Sequence, residues 1–351
     1  IMNFGIKGRM YNVIKYMYSN LQASVNLSGH LTDWFRINGG VRQGDNLAPT
    51  LFAMHINSLA EEIKSKNCGV EIGNNHKVSI LLYADDIVLI SDTEQGLQTQ
   101  LDTLQSWIMK YRMSVNMDKT KILHFRKNRQ AQTKRKFTLG QNTIEIVSNY
   151  KYLGLTLDEN LNFKTSTLVL SKSASKALGA LTAKYINAKG LHVSTYTKLY
   201  NCTVLPGLHY ASAIWGNKKY SHCEDIHNRA MRTFLGVGKK TPIPGLYGEM
   251  GWKNLLNHRK KDITRFWLKL FNTDDDRLLK KIFIWDYAKS LRGQNCWNKD
   301  VKGILEGANM SDLFYGLGTE NQKKHLYNHY TSTWKRKIAR YLSHKSKKCQ
   351  N

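Results

Sequence analysis

Val78-Ser79-Ile80-Leu81-Leu82-Tyr83-Ala84-Asp85-Asp86-Ile87-Val88-Leu89-Ile90 places two adjacent carboxylates between two short apolar runs. Each run is rich in Ile, Val and Leu and reads as a buried strand, so the carboxylates fall at the tip of a hairpin. A buried acidic pair there demands a cation, because two ionised carboxylates raise one another's pKa unless a metal or base offsets them. Hard divalent ions such as Mg²⁺ suit oxygen donors of this kind. Successive strand side chains point to opposite faces, so Asp85 and Asp86 serve one site only if the backbone turns between the runs. A polar turn without chemistry is the alternative for the dipeptide taken alone.

Outward from the hairpin, Leu97, Leu101, Leu104, Trp107, Ile108 and Tyr111 recur at helical spacing and predict a helix over Glu94–Tyr111, a core stripe. Next, Asn116-Met117-Asp118-Lys119-Thr120-Lys121 puts two lysines just before a strand; taken alone they are a solvated pair. Upstream, Asn38-Gly39-Gly40-Val41-Arg42-Gln43-Gly44-Asp45-Asn46-Leu47-Ala48-Pro49 is a glycine-rich loop ahead of a helix over Thr50–Lys64. Glycine lets backbone approach a phosphate or base closely, although such a loop can equally be a plain turn. Another amphipathic helix is expected over Lys7–Leu21, with short strands at Ala23–Leu27 and Trp34–Ile37.

Composition sets the class of partner. Of 351 residues, 53 are Lys or Arg and 26 Asp or Glu, giving a net charge of +27, beyond what solubility requires. Such an excess marks a polyanion partner, since each phosphate neutralised by Lys or Arg releases condensed counterions. An anionic membrane is the rival, but no apolar run approaches the ~18 residues of a span. Cys68, Cys202, Cys223, Cys296 and Cys349 are widely spaced and odd in number, as expected of reduced thiols in an intracellular protein. Cys223 with His222 and His227 could share a helix face, yet lacks the second ligand pair of a zinc site.

The run Arg126–Lys136 reads as an exposed basic loop, and short strands are expected from Phe137 to Phe163. Beyond Thr165 the chain turns helical: Leu168–Asn187, Ser194–Val204, Ser221–Leu235, Leu255–Phe271 and Arg277–Leu291. A Gly- and Pro-bearing joint over Gly236–Gly251 and a basic helix over Asn321–Lys348 complete the pattern.

The Arg-Gln-Gly loop opening a helix, the Asp-Asp hairpin and a lysine beside a strand, in this order, resemble the palm of a reverse transcriptase. More narrowly, the chain resembles the reverse transcriptase of a non-LTR (LINE-type) retrotransposon. Gly40 to Phe52 matches the family's template and nucleotide loop, Tyr83-Ala84-Asp85-Asp86 its catalytic hairpin, Asn116 to Lys121 its lysine segment, and Tyr150 to Leu157 its primer-gripping hairpin. Leu199 to Tyr210, Trp215-Gly216 and Asn228 to Arg232 resemble its thumb and post-thumb region. The fold implied is α+β: a partial polymerase palm (antiparallel sheet with packed helices) over 1–130, a primer-grip hairpin region over 131–165, a helical thumb over 166–240 and a basic helical C-terminal region over 241–351.

The resemblance implies RNA-directed DNA synthesis by nucleotidyl transfer with two Mg²⁺ ions about 3.5–4 Å apart. Asp85 and Asp86 would be the metal ligands, and Lys119 would assist the leaving pyrophosphate. Arg42, Gln43, Gly44 and Tyr83 would position template and deoxynucleoside triphosphate; Tyr152, Leu153 and Gly154 would lie at the primer end. An RNA template and a DNA primer are the implied partners, no membrane is, and the place of action is intracellular, nuclear and cytoplasmic within a retrotransposon ribonucleoprotein. The family's further metal-binding aspartate belongs ahead of the Lys7–Leu21 helix, where this sequence offers none, and Asp33 does not stand in for it. The expectation is a truncated copy that binds primer-template weakly and does not extend it. A non-catalytic nucleic-acid-binding protein, or an intron-maturase-like one, is the alternative.

Overall fold

The computed structural model describes residues 1–19, 21–37, 39–73, 76–127 and 129–315, and these divide into two compact units. The basic helix expected over Asn321–Lys348 lies outside the described residues. The first unit takes residues 1–121 and 134–145, and the second 122–133 and 146–315. The chain therefore crosses between units around Ile122 and again at either end of a small hairpin.

In the first unit, α1 (Gly8–Ser19), α2 (Ala48–Ser65) and α3 (Glu94–Tyr111) follow the apolar spacing closely. Thr93 starts α3 by accepting the Gly96 N–H on its hydroxyl at 3.1 Å, and Glu94 lies in the positive first turn. Arg112, in the left-handed conformation, ends it. α2 buries Ile56, Leu59 and Ile63, α3 buries Leu101, Leu104, Trp107 and Ile108, and the two helices pack together. Trp107 satisfies its indole N–H on Ser58 Oγ at 2.9 Å, so the largest side chain in this core has no unmet donor.

The strands of this unit pair in two-stranded antiparallel ladders: Gln22–Ala23 with Phe35–Arg36, Asn26–Leu27 with His30–Leu31, Val70–Glu71 with Lys77–Val78, Ile80–Tyr83 with Asp86–Leu89, and Phe137–Leu139 with Asn142–Ile144. The expected acidic hairpin is thus present, with Tyr83 opposite Asp86. Gly69 fits it closely. A Cβ there would stand 2.6 Å from the Val78 carbonyl oxygen and 2.8 Å from Ser79 N, both backbone atoms that cannot swing aside. Ser79 in turn accepts the Ile90 N–H at 2.8 Å, the bond that closes the base of the acidic hairpin. Gly69→Ala is therefore expected to cost about 1–3 kcal/mol as an overpacking change and to shift the hairpin. Urea unfolding of the variant checks it, and an unchanged midpoint would show that the strand gives way without cost.

The second unit opens with the parallel pair Ile122–Leu123 and Ile146–Val147 and the antiparallel hairpin Asn149–Tyr152 with Leu155–Asp158. Arg126, expected in an exposed loop, instead reaches Glu159 at 2.6 Å with both side chains largely covered. Helices then dominate: α4 (Lys164–Asn187), α5 (Val193–Thr203), α6 (Leu205–His209), α7 (Ser212–Trp215), α8 (Ser221–Leu235), α9 (Ile243–Met250), α10 (Leu255–Phe271), α11 (Leu278–Leu291), α12 (Trp297–Glu306) and α13 (Ser311–Tyr315). One core gathers Leu178 and Leu181 of α4 with Tyr196, Tyr200, Leu208, Met231, Leu246 and Leu255. Another joins Ile263 and Trp267 of α10 to Phe283, Val301, Leu305 and Phe314.

The Gly- and Pro-bearing joint at 236–251 is a correction to the sequence reading, because it contains α9. Pro244 falls in the first turn, where its missing N–H leaves no hydrogen bond unmade, and Leu246 and Met250 are buried. α6, α7, α12 and α13 were also unforeseen; they are too short for periodicity to register.

Candidate functional site

At the hairpin tip, Tyr83 pairs with Asp86 and the connection is Ala84-Asp85. Ala84 has φ 50°, the left-handed region that a residue with a Cβ seldom adopts. Such a conformation costs about 1–3 kcal/mol and persists where its surroundings over-determine it, often at functional sites. Its effect is to turn the backbone between the strands, so the alternation that would have sent Asp85 and Asp86 to opposite faces is broken. Both carboxylates are exposed, not buried as the apolar flanks suggested. Among the described residues neither takes a hydrogen bond or ion pair.

The hairpin is held from behind. Its strands pack against α2 and α3. Gln100, fully buried in the middle of the α3 leucine stripe, donates to Cys68 O and to Ile90 O, each at 3.0 Å. This residue went unremarked in the sequence; a lone glutamine at a stripe position was the available signal.

The Arg-Gln-Gly loop is likewise anchored. Asp45 Oδ1 accepts the Leu47 N–H at 3.0 Å as α2 begins, and Asp45 Oδ2 accepts the Tyr18 hydroxyl at 2.7 Å. The Leu47 N–H, followed by the Tyr18 hydroxyl, holds the Asp45 carboxyl below the usual carboxylate range, and the same contact pushes Tyr18 up. Arg42 donates to Met17 O at 2.6 Å, at the end of α1, with its guanidinium 5.8 Å from the Tyr18 ring centroid. Arg42 is thus turned onto α1, while Gln43 and Gly44 are exposed at the loop surface. Gly40 and Gly44 hold φ of 88° and 83°, which the bend requires.

Lys119 lies in the turn before Ile122–Leu123, its N–H accepted by Asn116 Oδ1 at 3.1 Å. Its neighbour Lys121 is tied to Glu145 at 3.0 Å, so the two lysines have different surroundings. Tyr152, Leu153 and Gly154 belong to the second unit. Leu153 and Gly154, at φ 45° and 82°, form the two-residue hairpin turn, and the Tyr210 hydroxyl donates to Leu153 O. The first unit therefore holds Arg42, Gln43, Gly44, Tyr83, Asp85, Asp86 and Lys119, and the second holds the primer-grip candidates.

Residues 1–157 match the family described as reverse transcriptase (RNA-dependent DNA polymerase). This part of the chain is similar to the reverse transcriptase family. The match spans the anchored loop, the acidic hairpin, the lysine turn and all but the last residue of the 149–158 hairpin. Among relatives, the RNA-directed DNA polymerase from mobile element jockey of Drosophila funebris is 26% identical over 224 residues, 62% of this chain and 24% of that protein. The Pol polyprotein from type-1 retrotransposable element R2 of Nasonia vitripennis is 29% identical over 154 residues, 42% of this chain and 15% of that one. The relatives are polymerases of non-LTR retrotransposons, in keeping with the LINE-type resemblance. The chain spans about a quarter of the length of the jockey relatives it matches.

Reverse transcriptases act with divalent metal. The hairpin tip fits such an ion in donor chemistry: two exposed carboxylates offer hard oxygen donors and leave coordination positions to water and phosphate. Among the described residues no three His, Cys, Asp or Glu side chains cluster to hold a metal, so the pair stands without a third protein ligand. His222, His227 and Cys223 do not gather for zinc either; His222 meets Thr167 Oγ1 at 2.9 Å and His227 meets Tyr200 at 2.6 Å. No helix among the described residues is long and apolar enough to cross a membrane.

Proposed function

We propose that this chain carries palm and thumb elements of a non-LTR retrotransposon's RNA-directed DNA polymerase, acting on an RNA template, a DNA primer and deoxynucleoside triphosphates within a ribonucleoprotein. The observation that carries the reading is the left-handed Ala84 turn, which presents Asp85 and Asp86 together at one exposed tip braced by two helices. Asp85 and Asp86 would bind Mg²⁺, which when present supplies Lewis-acid activation of the primer 3′-oxygen and charge neutralisation at the leaving pyrophosphate. Gln43 and Gly44 orient template and nucleotide from a loop fixed by Arg42, Tyr18 and Asp45. Lys119 places a cation for the pyrophosphate's developing charge, and the Leu153-Gly154 turn supports the primer terminus.

The test is primer extension by the purified chain on an RNA template with Mg²⁺. Asp85→Asn is expected to abolish extension while leaving RNA affinity within about twofold, since one charge contributes little to a many-phosphate contact. Extension that survives this change would remove the hairpin from the chemistry. A second reading, binding without catalysis, is favoured by the absence of a third clustered metal ligand among the described residues. Wild-type RNA binding with no extension would select it.

A further inference from the structure

Helix α10 lies beyond the segment matched to the reverse transcriptase family and carries a charge pattern that its own packing does not use. Lys261, Arg265 and Lys269 recur every fourth residue and are exposed, and exposed Lys253 precedes them just ahead of the helix. At 3.6 residues per turn these positions form a row opposite the buried Leu255, Arg259, Ile263, Trp267 and Leu270. With a rise of about 1.5 Å per residue, the three helical cations span about 12 Å. That is the axial length of about four successive phosphates of one duplex strand at about 3.4 Å each.

The row carries no ion-pair partner of its own: among the described residues none of Lys253, Lys261, Arg265 and Lys269 forms an ion pair. The acid on the helix, Asp262, is engaged elsewhere: it accepts from Ser212 Oγ at 3.0 Å and pairs with His209 Nδ1 at 3.1 Å. Like charges four apart on a helix repel and destabilise it. In agreement, the Lys261 ammonium is pushed below its ordinary range, first by partial burial and then by Arg265 and Lys253. A helix that bears this repulsion along its outer face is built to meet an external line of negative charge.

We propose that the Lys261–Arg265–Lys269 row of α10 is a phosphate-tracking surface that binds the nucleic-acid backbone without reading sequence. This rests on the nucleic-acid reading of the chain and adds to it a contact outside the palm. A membrane fits the row less well, because surface-lying helices present apolar residues beside their cations. Here the apolar face of α10 is spent on the protein core.

The experiment compares the full chain with the triple variant Lys261→Gln, Arg265→Gln, Lys269→Gln and with a control triple, Lys239→Gln, Lys240→Gln, Arg292→Gln. Affinity for labelled single-stranded RNA and for duplex DNA of matched length is measured across salt concentrations. The row variant is expected to weaken binding about tenfold or more and to reduce the slope of log K against log salt by about 2 for single strands and nearly 3 for duplex. The control triple should reduce it by less than half as much. Whether RNA or DNA shows the larger loss identifies the backbone that the row follows. A thermal midpoint no lower than that of the parent shows the variant folded, as removal of repulsion requires. Equal losses in both triples would overturn the row as a distinct surface. An unchanged slope, with lost binding to anionic vesicles, would overturn it in favour of a membrane. Failure of the unmodified chain to bind either nucleic acid would overturn the nucleic-acid reading itself, and the row with it.

Discussion

Arg259→Ala should destabilise the helical unit by about 3–5 kcal/mol, the cost of leaving a buried charge without its partner. Arg259 is fully buried, and its Nη2 donates to Glu224 Oε1 at 3.1 Å and to Lys218 O at 3.4 Å. The guanidinium carbon stands 5.5 Å from the Trp215 ring centroid. Burial pushes the Glu224 carboxyl up and Arg259 opposes that shift, so truncating the arginine strands a carboxylate in an apolar site. Nε and Nη1 of Arg259 have no partner among the described residues, so the pair is incompletely satisfied even when intact. Replacing both members by methionine should therefore recover most of the loss, because the desolvation of two charges disappears with them. Urea unfolding of the single and double variants measures both quantities. A single-variant loss below about 1 kcal/mol would mean the site admits water on truncation.

The second large effect is acid lability of the same unit. His227 is buried, with its ring between the Tyr200 hydroxyl at 2.6 Å and Lys253 O at 3.2 Å. A neutral ring meets both, with Nε2–H donating to the carbonyl and Nδ1 accepting from the hydroxyl. Burial, with His258 as the next cause, lowers its pKa to about 3; burial and then His209 lower that of His258 to about 4. Both folded values lie below the ~6.5 of an unfolded histidine, so the unfolded chain binds more protons once pH falls beneath 6.5. The stabilisation is complete above that pH and is lost progressively as pH falls toward the folded values. By pH 4 the two groups together remove on the order of 5 kcal/mol. Unfolding midpoints taken from pH 7 down to pH 4 should fall steadily, and His227→Gln should flatten part of the slope. A flat profile between pH 6.5 and pH 5 would show that both rings take up protons in the folded unit as readily as in the unfolded chain.

The contrast between the long and short elements explains how much was legible in the sequence. The α3 stripe and α8 were bounded correctly because their apolar positions repeat over several turns and their ends carry clear signals: Thr93 before α3, Gly236 after α8. α9 was hidden because Pro244 and Gly245 read as breakers, whereas in a first turn a proline is harmless. The family motifs were legible for a different reason. Their residues stand in the order the resembled family has them, and that order can be read without knowing how the chain packs. Arg42 shows the limit. Sequence marks it as a cation in a glycine-rich loop, but its reach to Met17 O depends on where α1 ends, a contact across 25 residues.

By itself the sequence determined an α+β class with a helical second half, a resemblance to a reverse transcriptase palm, and a net charge of +27 that made a polyanion the expected partner. Those readings rest on residue types, net charge and the likeness of the motifs to a known family, none of which needs coordinates. Tertiary structure alone decided that Asp85 and Asp86 stand exposed at one tip, because the left-handed backbone at Ala84 overrides strand alternation. It alone decided that Gln100 braces the hairpin and that Arg259 and His227 are buried, since burial depends on which helix faces meet. It likewise left the Lys261–Arg265–Lys269 row outward, because the opposite face of α10 had already been taken by the core.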